Sequence, residues 1–389
     1  MLNFPAPPPL SLYVHVPWCV RKCPYCDFNS FEARDEIPEH DYVSALLRDL
    51  DRAAPGVTGR EIISIFIGGG TPSLLSGETI HQLLGGVQTR LAVRPDVEIT
   101  LESNPGAVET AHLRDYRSAG VNRLSIGVQS FRDAQLEALG RIHRGGEALA
   151  AYHAAREAGF ENINLDLMFG LPGDHQSGAL EDLNTAIHLG PAHLSWYQLT
   201  LEPNTAFYRH PPPLPNDEES WEIQQAGQTL LAQHDYRQYE VSAYARDGKV
   251  CHHNLNYWEF GDYLGIGAGA HSKITEISHP RVVRFSKQGN PKTYMAAAGT
   301  AEALVGEHVI EAREMIVEFM MNALRLKRGF PLSLFLSRTG LPITALEPML
   351  REAAQRGFLL WEEDRIQPTD LGYQYLNELI YLFYQEEPA

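Results

Sequence analysis

Positive charge is scarce in this sequence. Thirty-two Lys and Arg stand against 49 Asp and Glu in 389 residues, a formal net charge of −17. Non-specific nucleic-acid binding by phosphate neutralisation needs the opposite balance, and so does attraction to an anionic membrane surface. No apolar run reaches the ~18 residues of a membrane-spanning helix. The opening MLNFPAPPPLSLYVHV carries no Lys or Arg ahead of a hydrophobic stretch, so the signal-peptide pattern is absent and a cytoplasmic protein is expected. Cysteine is also scarce. There are four, which in a cytosolic chain argues against a disulfide framework. Internal repeats and low-complexity tracts are missing as well.

What remains is an ordinary globular composition, 44% hydrophobic and 21% charged, which excludes a fibre or wholesale disorder. The length suits a core domain of ~200–250 residues with a smaller appendage. Short apolar strands are expected at Leu12–Val16, Ile62–Ile67, Val97–Leu101, Arg123–Val128, Ile163–Met168 and His193–Thr200. Helices are expected near 40–53, 76–91, 109–118, 132–158 and 177–188. This alternation predicts a parallel sheet of βαβ units. Most of the strands run into polar or glycine-rich residues (GGGTP, ESNPG, GVQSF, FGLPG, QLTLEPN). In parallel α/β folds the ligand site lies at those C-terminal ends. The proline-rich His210–Pro215 is read as a loop. Residues 1–240 form the first expected domain, 241–305 a connecting segment, and 306–389 a helical module. That module has helices near 312–326, 331–339 and 342–356, then a hairpin and a helix, a winged-helix-like order. From Glu311 onward there are eight Lys and Arg against twelve Asp and Glu, a poor balance for a DNA-recognition surface.

Three of the cysteines, Cys19, Cys23 and Cys26, fall in a C-x3-C-x2-C cluster; Cys251 lies far off, beside two histidines. Thiolates are soft ligands that suit iron–sulfur clusters and zinc. Three thiolates leave one iron of a [4Fe–4S] cube open to an amino-acid-like chelator. Structural zinc would instead need a fourth ligand, such as His15 or Cys251.

The segment Tyr13–Phe28, YVHVPWCVRKCPYCDF, resembles the signature of the radical S-adenosylmethionine (SAM) enzymes. More narrowly it is similar to the branch that holds oxygen-independent coproporphyrinogen III oxidases and the HemW heme chaperones. The resemblance implies a partial (β/α)6 TIM-like barrel, a [4Fe–4S] cluster on Cys19, Cys23 and Cys26, and SAM on the open iron. It carries SAM contacts to Tyr13, Tyr25, Gly69, Gly70, Thr71, Glu102, Gln129, Arg141, Asp166 and Thr200. Gly69 would meet the amino group of SAM, and Arg141 its carboxylate. Glu102 would meet the ribose hydroxyls or the amino group, and Tyr25 could stack on the adenine.

Two departures divide the branch. The oxidases carry a further cysteine two positions after the third, where this chain has Phe28, and they have a longer arm before the cluster. Both match the heme-chaperone pattern rather than oxidative decarboxylation of coproporphyrinogen. His253-Asn254-Leu255-Asn256-Tyr257-Trp258 resembles the H-N-x-x-Y-W heme motif of the chaperones. In that reading His253 ligates iron, Asn254 orients the imidazole, and Tyr257 and Trp258 meet the porphyrin face. The six residues alone read rather as a core histidine with packed aromatics, and the cysteine loop and Phe28 turn the reading toward heme. The following GIGAGAH is rejected as a dinucleotide loop, because no strand–turn–helix unit supports it; in this family such a segment helps close the SAM site. The resemblance further implies heme as cargo, acceptor hemoproteins such as respiratory cytochromes, and an electron donor.

Overall fold

The computed structural model describes residues 2–107 and 110–384. Six strands form its centre: β1 Leu10–Val16, β2 Glu61–Gly69, β3 Ala92–Ser103, β4 Arg123–Gln129, β5 Asn162–Phe169 and β6 His193–Gln198. They pair in parallel in sequence order. These are the six runs expected from the apolar pattern. All seven residues of β4 are buried, as a parallel strand covered on both faces requires.

The helices between them pack on the sheet by one apolar stripe each. In α1 (Glu39–Ala53) the buried positions are Tyr42, Val43, Ala45, Leu46, Asp49 and Leu50, a spacing of three and four. Helix α2 (Gly77–Gln88) starts at Ser76, whose hydroxyl accepts the Thr79 amide. Then come α3 (Thr110–Ala119), α4 (Asp133–Ala138), α5 (Gly145–Glu157), α6 (Gln176–Leu189) and α7 (Asp217–Gln233). The single helix expected over 132–158 is two. Gly140 takes a left-handed φ of 69°, and at the start of α5 the Glu147 carboxylate accepts the Arg144 backbone amide at 2.8 Å. That break delivers Arg141 to the strand ends.

The sheet extends beyond six strands. At one side lie β7 (Arg237–Glu240) and β8 (Ala243–Ala245). At the other lie β9 (Asp262–Ile266), β10 (His271–Glu276), β11 (Arg281–Lys287) and β12 (Leu304–Val309). The order is β12-β11-β10-β9-β1-β2-β3-β4-β5-β6-β8-β7, a twelve-stranded open sheet. So most of 241–305, expected as a connector, continues the sheet. The reason is that β9 is wholly buried and pairs in parallel with β1. One short helix in this stretch, α8 (His252–Trp258), carries the H-N-x-x-Y-W residues.

The C-terminal part has helices α9 (Ala312–Ala323), α10 (Leu332–Thr339) and α11 (Glu347–Gln355), followed by strands β14 (Leu359–Trp361) and β15 (Arg365–Pro368). A third short strand, β13 (Phe330–Pro331), pairs with β15. This is the helical, winged-helix-like order expected from the sequence. Its core gathers Phe319, Phe330, Phe335, Leu350 and Phe383, and Phe4 from the start of the chain joins it. Among the described residues, no helix is long and apolar enough to cross a membrane.

Candidate functional site

The C-terminal ends of the six parallel strands open on one cavity of about 450 Å³, within the usual size range of small-molecule sites. Cys19, Cys23 and Cys26 line it from the loop after β1. Gly69, Gly70 and Thr71 line it at the end of β2, Glu102 near the end of β3, Gln129 at the end of β4, Asp166 from β5 and Thr200 after β6; Tyr25 and Arg141 complete the set. Of the ten residues assigned to SAM by resemblance, nine line this cavity. Tyr13 does not. It stands behind the wall, where its hydroxyl shares a 2.9 Å hydrogen bond with His15 Nδ1.

The cysteine loop is held from both ends. Lys22 Nζ donates to the Phe28 carbonyl at 2.9 Å, and His15 Nε2 meets the Asn29 carbonyl at 2.9 Å. Asn29 Nδ2 in turn donates to the carbonyls of Ala268 and Gly289. The glycine-rich segment after β9 therefore packs on the cluster loop; a Cβ at Gly269 would come 2.3 Å from Asn29 Nδ2. His271, which follows this segment, is exposed at the start of β10. Burial pushes the Cys19 and Cys26 thiols above their ordinary range, so cluster assembly has to draw off their protons.

Gly69 has φ 118°, and a Cβ there would meet the His15 ring at 2.6 Å. Only glycine fits this backbone. Its amide donates to Glu102 Oε2 at 3.0 Å. Burial and the neighbouring Asp166 push the Glu102 carboxyl up to about 8. Burial thus favours the protonated form of Glu102, against the opposing pull of the Arg123 charge. Asp166 accepts from Ser125 Oγ at 3.0 Å and from Asn164 Nδ2 at 2.8 Å. Gln129 has a left-handed φ of 66°, uncommon for a non-glycine residue. It lies at an irregularity in the β4–β5 pairing, and its Oε1 accepts from Tyr197 Oη at 2.8 Å.

Arg141 is the fixed cation of the site. Nη1 lies 3.6 Å from Cys23 Sγ, and Nη2 donates to the Gly127 carbonyl at 2.8 Å and to Asn104 Oδ1. Nε is buried and has no partner. A buried donor without an acceptor is costly, and here it marks room for an anionic group next to the thiols. Three thiols, an unpartnered guanidinium donor and a glycine-rich wall beside the Glu102 carboxyl fit a cluster with an amino-acid-like ligand on its fourth iron. They do not fit four-ligand zinc. Cys251 is buried and donates to Glu98 Oε1 at 3.6 Å. Glu98 lies four residues before Glu102 on β3, about 13 Å deeper along the strand. His15 has both ring nitrogens engaged.

The motif helix α8 divides. Asn254 and Trp258 line the same cavity as the cysteines. His253 and Tyr257 do not. The ring of His253 is buried against Phe66 and Tyr13, with centroids 5.0 and 6.3 Å away, and its Nδ1 meets Ser64 Oγ at 3.2 Å. Burial, with the nearby Arg123 charge, pulls it down to about 3, so it is a neutral imidazole in the barrel interior. Its neighbour His252 is exposed. Tyr257 is exposed on the outer side of α8 and stacks on Tyr263 at 4.8 Å.

Sequence reasoning missed Asn104 and Tyr197. Asn104 joins Thr71 to Arg141, and Tyr197 holds Gln129. Both sit among the strand-end residues that face the mouth, and that position was the available signal.

The radical SAM superfamily model matches residues 13–186, and the HemN C-terminal domain model matches 310–375. The heme chaperone HemW of Escherichia coli is 50% identical over 97% of this chain and 99% of its own length. That of Bacillus subtilis is 35% identical over 97% and 99%. The chain belongs to the HemW heme chaperone family. Among solved structures, the radical SAM enzyme coproporphyrinogen III oxidase HemN of Escherichia coli has a TM-score of 0.81 at 25% identity. The match covers 97% of this chain and 90% of that one. HemW proteins are thus a branch of the radical SAM superfamily, whose cofactors are a [4Fe–4S] cluster and SAM, and the fold is that of the superfamily.

Proposed function

We propose that this protein is a heme chaperone. It binds heme beside a cluster- and SAM-bearing barrel and hands it to acceptor hemoproteins such as respiratory cytochromes. The observation that carries this reading is the meeting of two motifs: Asn254 and Trp258 of the H-N-x-x-Y-W helix line the cavity that Cys19, Cys23 and Cys26 also line. The three cysteines would hold the [4Fe–4S] cluster. Arg141 would receive the SAM carboxylate, Gly69 and Glu102 its amino group and ribose, and Tyr25 its adenine. When bound, the cluster supplies the electron for SAM cleavage, which calls for an external electron donor. Tyr257 and Trp258 offer aromatic faces to a porphyrin. The buried His253 holds α8 against the barrel rather than facing the cargo. The protein works in the cytoplasm, where thiols stay reduced.

A second reading, oxidative decarboxylation of coproporphyrinogen, is favoured by the likeness to the HemN structure. It is disfavoured by Phe28, which is 58% exposed and lines the cavity where the oxidases have a cysteine. A transfer experiment tests the chaperone reading. Heme-loaded protein is mixed with a heme-free respiratory cytochrome, and the acceptor's absorbance is followed. Transfer faster than loading from free heme is expected. Retention of heme, or loading no faster than from free heme, refutes delivery.

A further inference from the structure

Behind the strand-end cavity the barrel interior is polar, and its hydrogen bonds form a directed chain. At the cavity end stands Asp166, which lines the wall. Asn164 and Asp166 are alternate residues of β5, so both side chains leave the same face of the sheet. Asn164 Nδ2 donates to Asp166 Oδ1 at 2.8 Å and to Ser125 Oγ at 2.7 Å. Ser125 Oγ donates in turn to Asp166 Oδ2 at 3.0 Å. Asn164 Oδ1 meets His193 Nδ1 at 2.6 Å, and His193 Nε2 meets Tyr239 Oη at 2.8 Å. Tyr239 Oη accepts the amide of Cys251, the residue just before α8, at 3.3 Å. Four hydrogen bonds thus join the start of α8 to a carboxylate of the cavity.

Each proton in this chain has a forced place. A carboxylate only accepts, so the Asn164 atom that faces Asp166 is the amide nitrogen. That turns Asn164 Oδ1 toward His193, and Ser195 Oγ donates to the same oxygen at 3.1 Å. His193 Nδ1 therefore carries a hydrogen. The ring is fully buried, and burial with the Arg123 charge pulls it well below the ordinary histidine range. It is neutral, so Nε2 is an acceptor and takes the one proton of Tyr239 Oη. Asn164 and His193 are both closed to solvent, so a partner lost there is not replaced by bulk water. The far end is anchored as well. The Lys327 amide donates to the Tyr239 carbonyl at 3.0 Å, and the His253 amide donates to Glu98 Oε1 at 3.2 Å.

We infer that Tyr239, His193 and Asn164 are positioning residues for SAM. None of the three lines the cavity. They act through Asp166, whose two oxygens are each held by a donor from this network, so the carboxylate meets its ligand in one fixed orientation. The Tyr239 hydroxyl keeps the hydrogen of His193 on Nδ1. Without it that hydrogen is free to move to Nε2, and Asn164 is free to turn its amide over. A carbonyl oxygen would then face Asp166, and the carboxylate would lose a donor. The inference rests on the SAM contact that the resemblance carries to Asp166. It goes beyond that contact in one respect: because the chain starts at the Cys251 amide, SAM affinity depends on how α8 is seated.

The test measures SAM affinity by equilibrium dialysis on full-length protein with its cluster reconstituted anaerobically. Tyr239→Phe removes the hydroxyl and keeps the ring. Tyr236→Phe is the control. Tyr236 Oη donates to the Pro191 carbonyl at 2.8 Å, a buried phenol bond in the same stretch of chain but outside the network. A double-mutant cycle with Asp166→Asn adds a readout that general loosening would not move. Tyr239→Phe should weaken SAM binding by about two- to tenfold, the scale of one hydrogen bond. Tyr236→Phe should bind SAM as wild type does, and cluster absorbance should be unchanged in both. In the Asp166→Asn background, Tyr239→Phe should cost no further affinity. Wild-type affinity in Tyr239→Phe, an equal loss in Tyr236→Phe, or an undiminished loss in the Asp166→Asn background would overturn the positioning role and leave SAM binding standing. Unchanged affinity in Asp166→Asn alone would remove Asp166 from the site, and the chain behind it with it. If reconstituted wild-type protein binds no SAM, the cofactor reading itself is overturned.

Discussion

Arg141 Nη1 stands 3.6 Å from Cys23 Sγ, so this half-buried arginine at the strand ends faces the thiols directly. A cluster on Cys23 would leave this guanidinium beside the ligand of the open iron, with its Nε still unpartnered. Arg141→Ala should therefore weaken SAM binding by about 10- to 100-fold, the range for a hydrogen-bonded charge. Cluster content should not change. Equilibrium dialysis of SAM against anaerobically reconstituted protein measures this. Equal affinity in wild type and variant would remove Arg141 from the site.

Gly69 and Gly85 make a paired stability test. Gly69→Ala puts a Cβ 2.6 Å from the His15 ring at a left-handed φ. It should cost of order 1–3 kcal/mol and disturb SAM binding. Gly85, inside α2, has nothing within 4 Å of a built Cβ. Gly85→Ala should be neutral or stabilise by up to about 1 kcal/mol. Urea midpoints at constant slope report both. A harmless Gly69→Ala would contradict the geometry given for the strand end.

Glu102 sets a pH dependence. Its carboxyl is raised from the ordinary range to about 8 in the folded, ligand-free protein. The folded state thus holds a proton that the unfolded chain has released. The contribution is fully present below the ordinary carboxyl range and is lost as pH rises toward and through about 8. Glu102→Gln, neutral at every pH, should remove this loss. Relative to wild type it should gain stability between pH 5 and 9 in cluster-free protein, while binding SAM more weakly. Parallel wild-type and variant curves across that range would contradict the raised carboxyl.

His253 separates packing from ligation. Its ring fills space between Phe66 and Tyr13 and meets Ser64. His253→Ala should lower stability by roughly 1–3 kcal/mol and leave the spectrum of bound heme iron as in wild type. A changed iron spectrum in protein shown to be folded would return the ligand role to His253.

The barrel was legible because each central strand is a short apolar run that stops at glycine or a polar residue, as IFIGGG and LESNPG do. The cysteine spacing was legible through resemblance, since thiolate chemistry by itself leaves iron–sulfur and zinc both open. Long-range consequences were not. Nothing local in GRIHRGG shows that Gly140 turns left-handed and breaks the helix, yet that break delivers Arg141. The burial of β9 against β1 depends on a pairing some 250 residues away in sequence. His252 and His253 are adjacent, and successive helical side chains point about 100° apart. Which of them faces inward depends on how α8 docks, and the composition of the motif is silent on that.

The central claim is that this barrel serves heme delivery rather than porphyrinogen oxidation. The most direct measurement is anaerobic reconstitution with iron and sulfide, then heme titration by absorbance and, on the same sample, an assay with SAM, a reductant and coproporphyrinogen III. Stoichiometric heme binding with no decarboxylated product is the predicted result. Decarboxylated product with weak or absent heme binding would contradict it and show that an oxidase can function with phenylalanine at position 28.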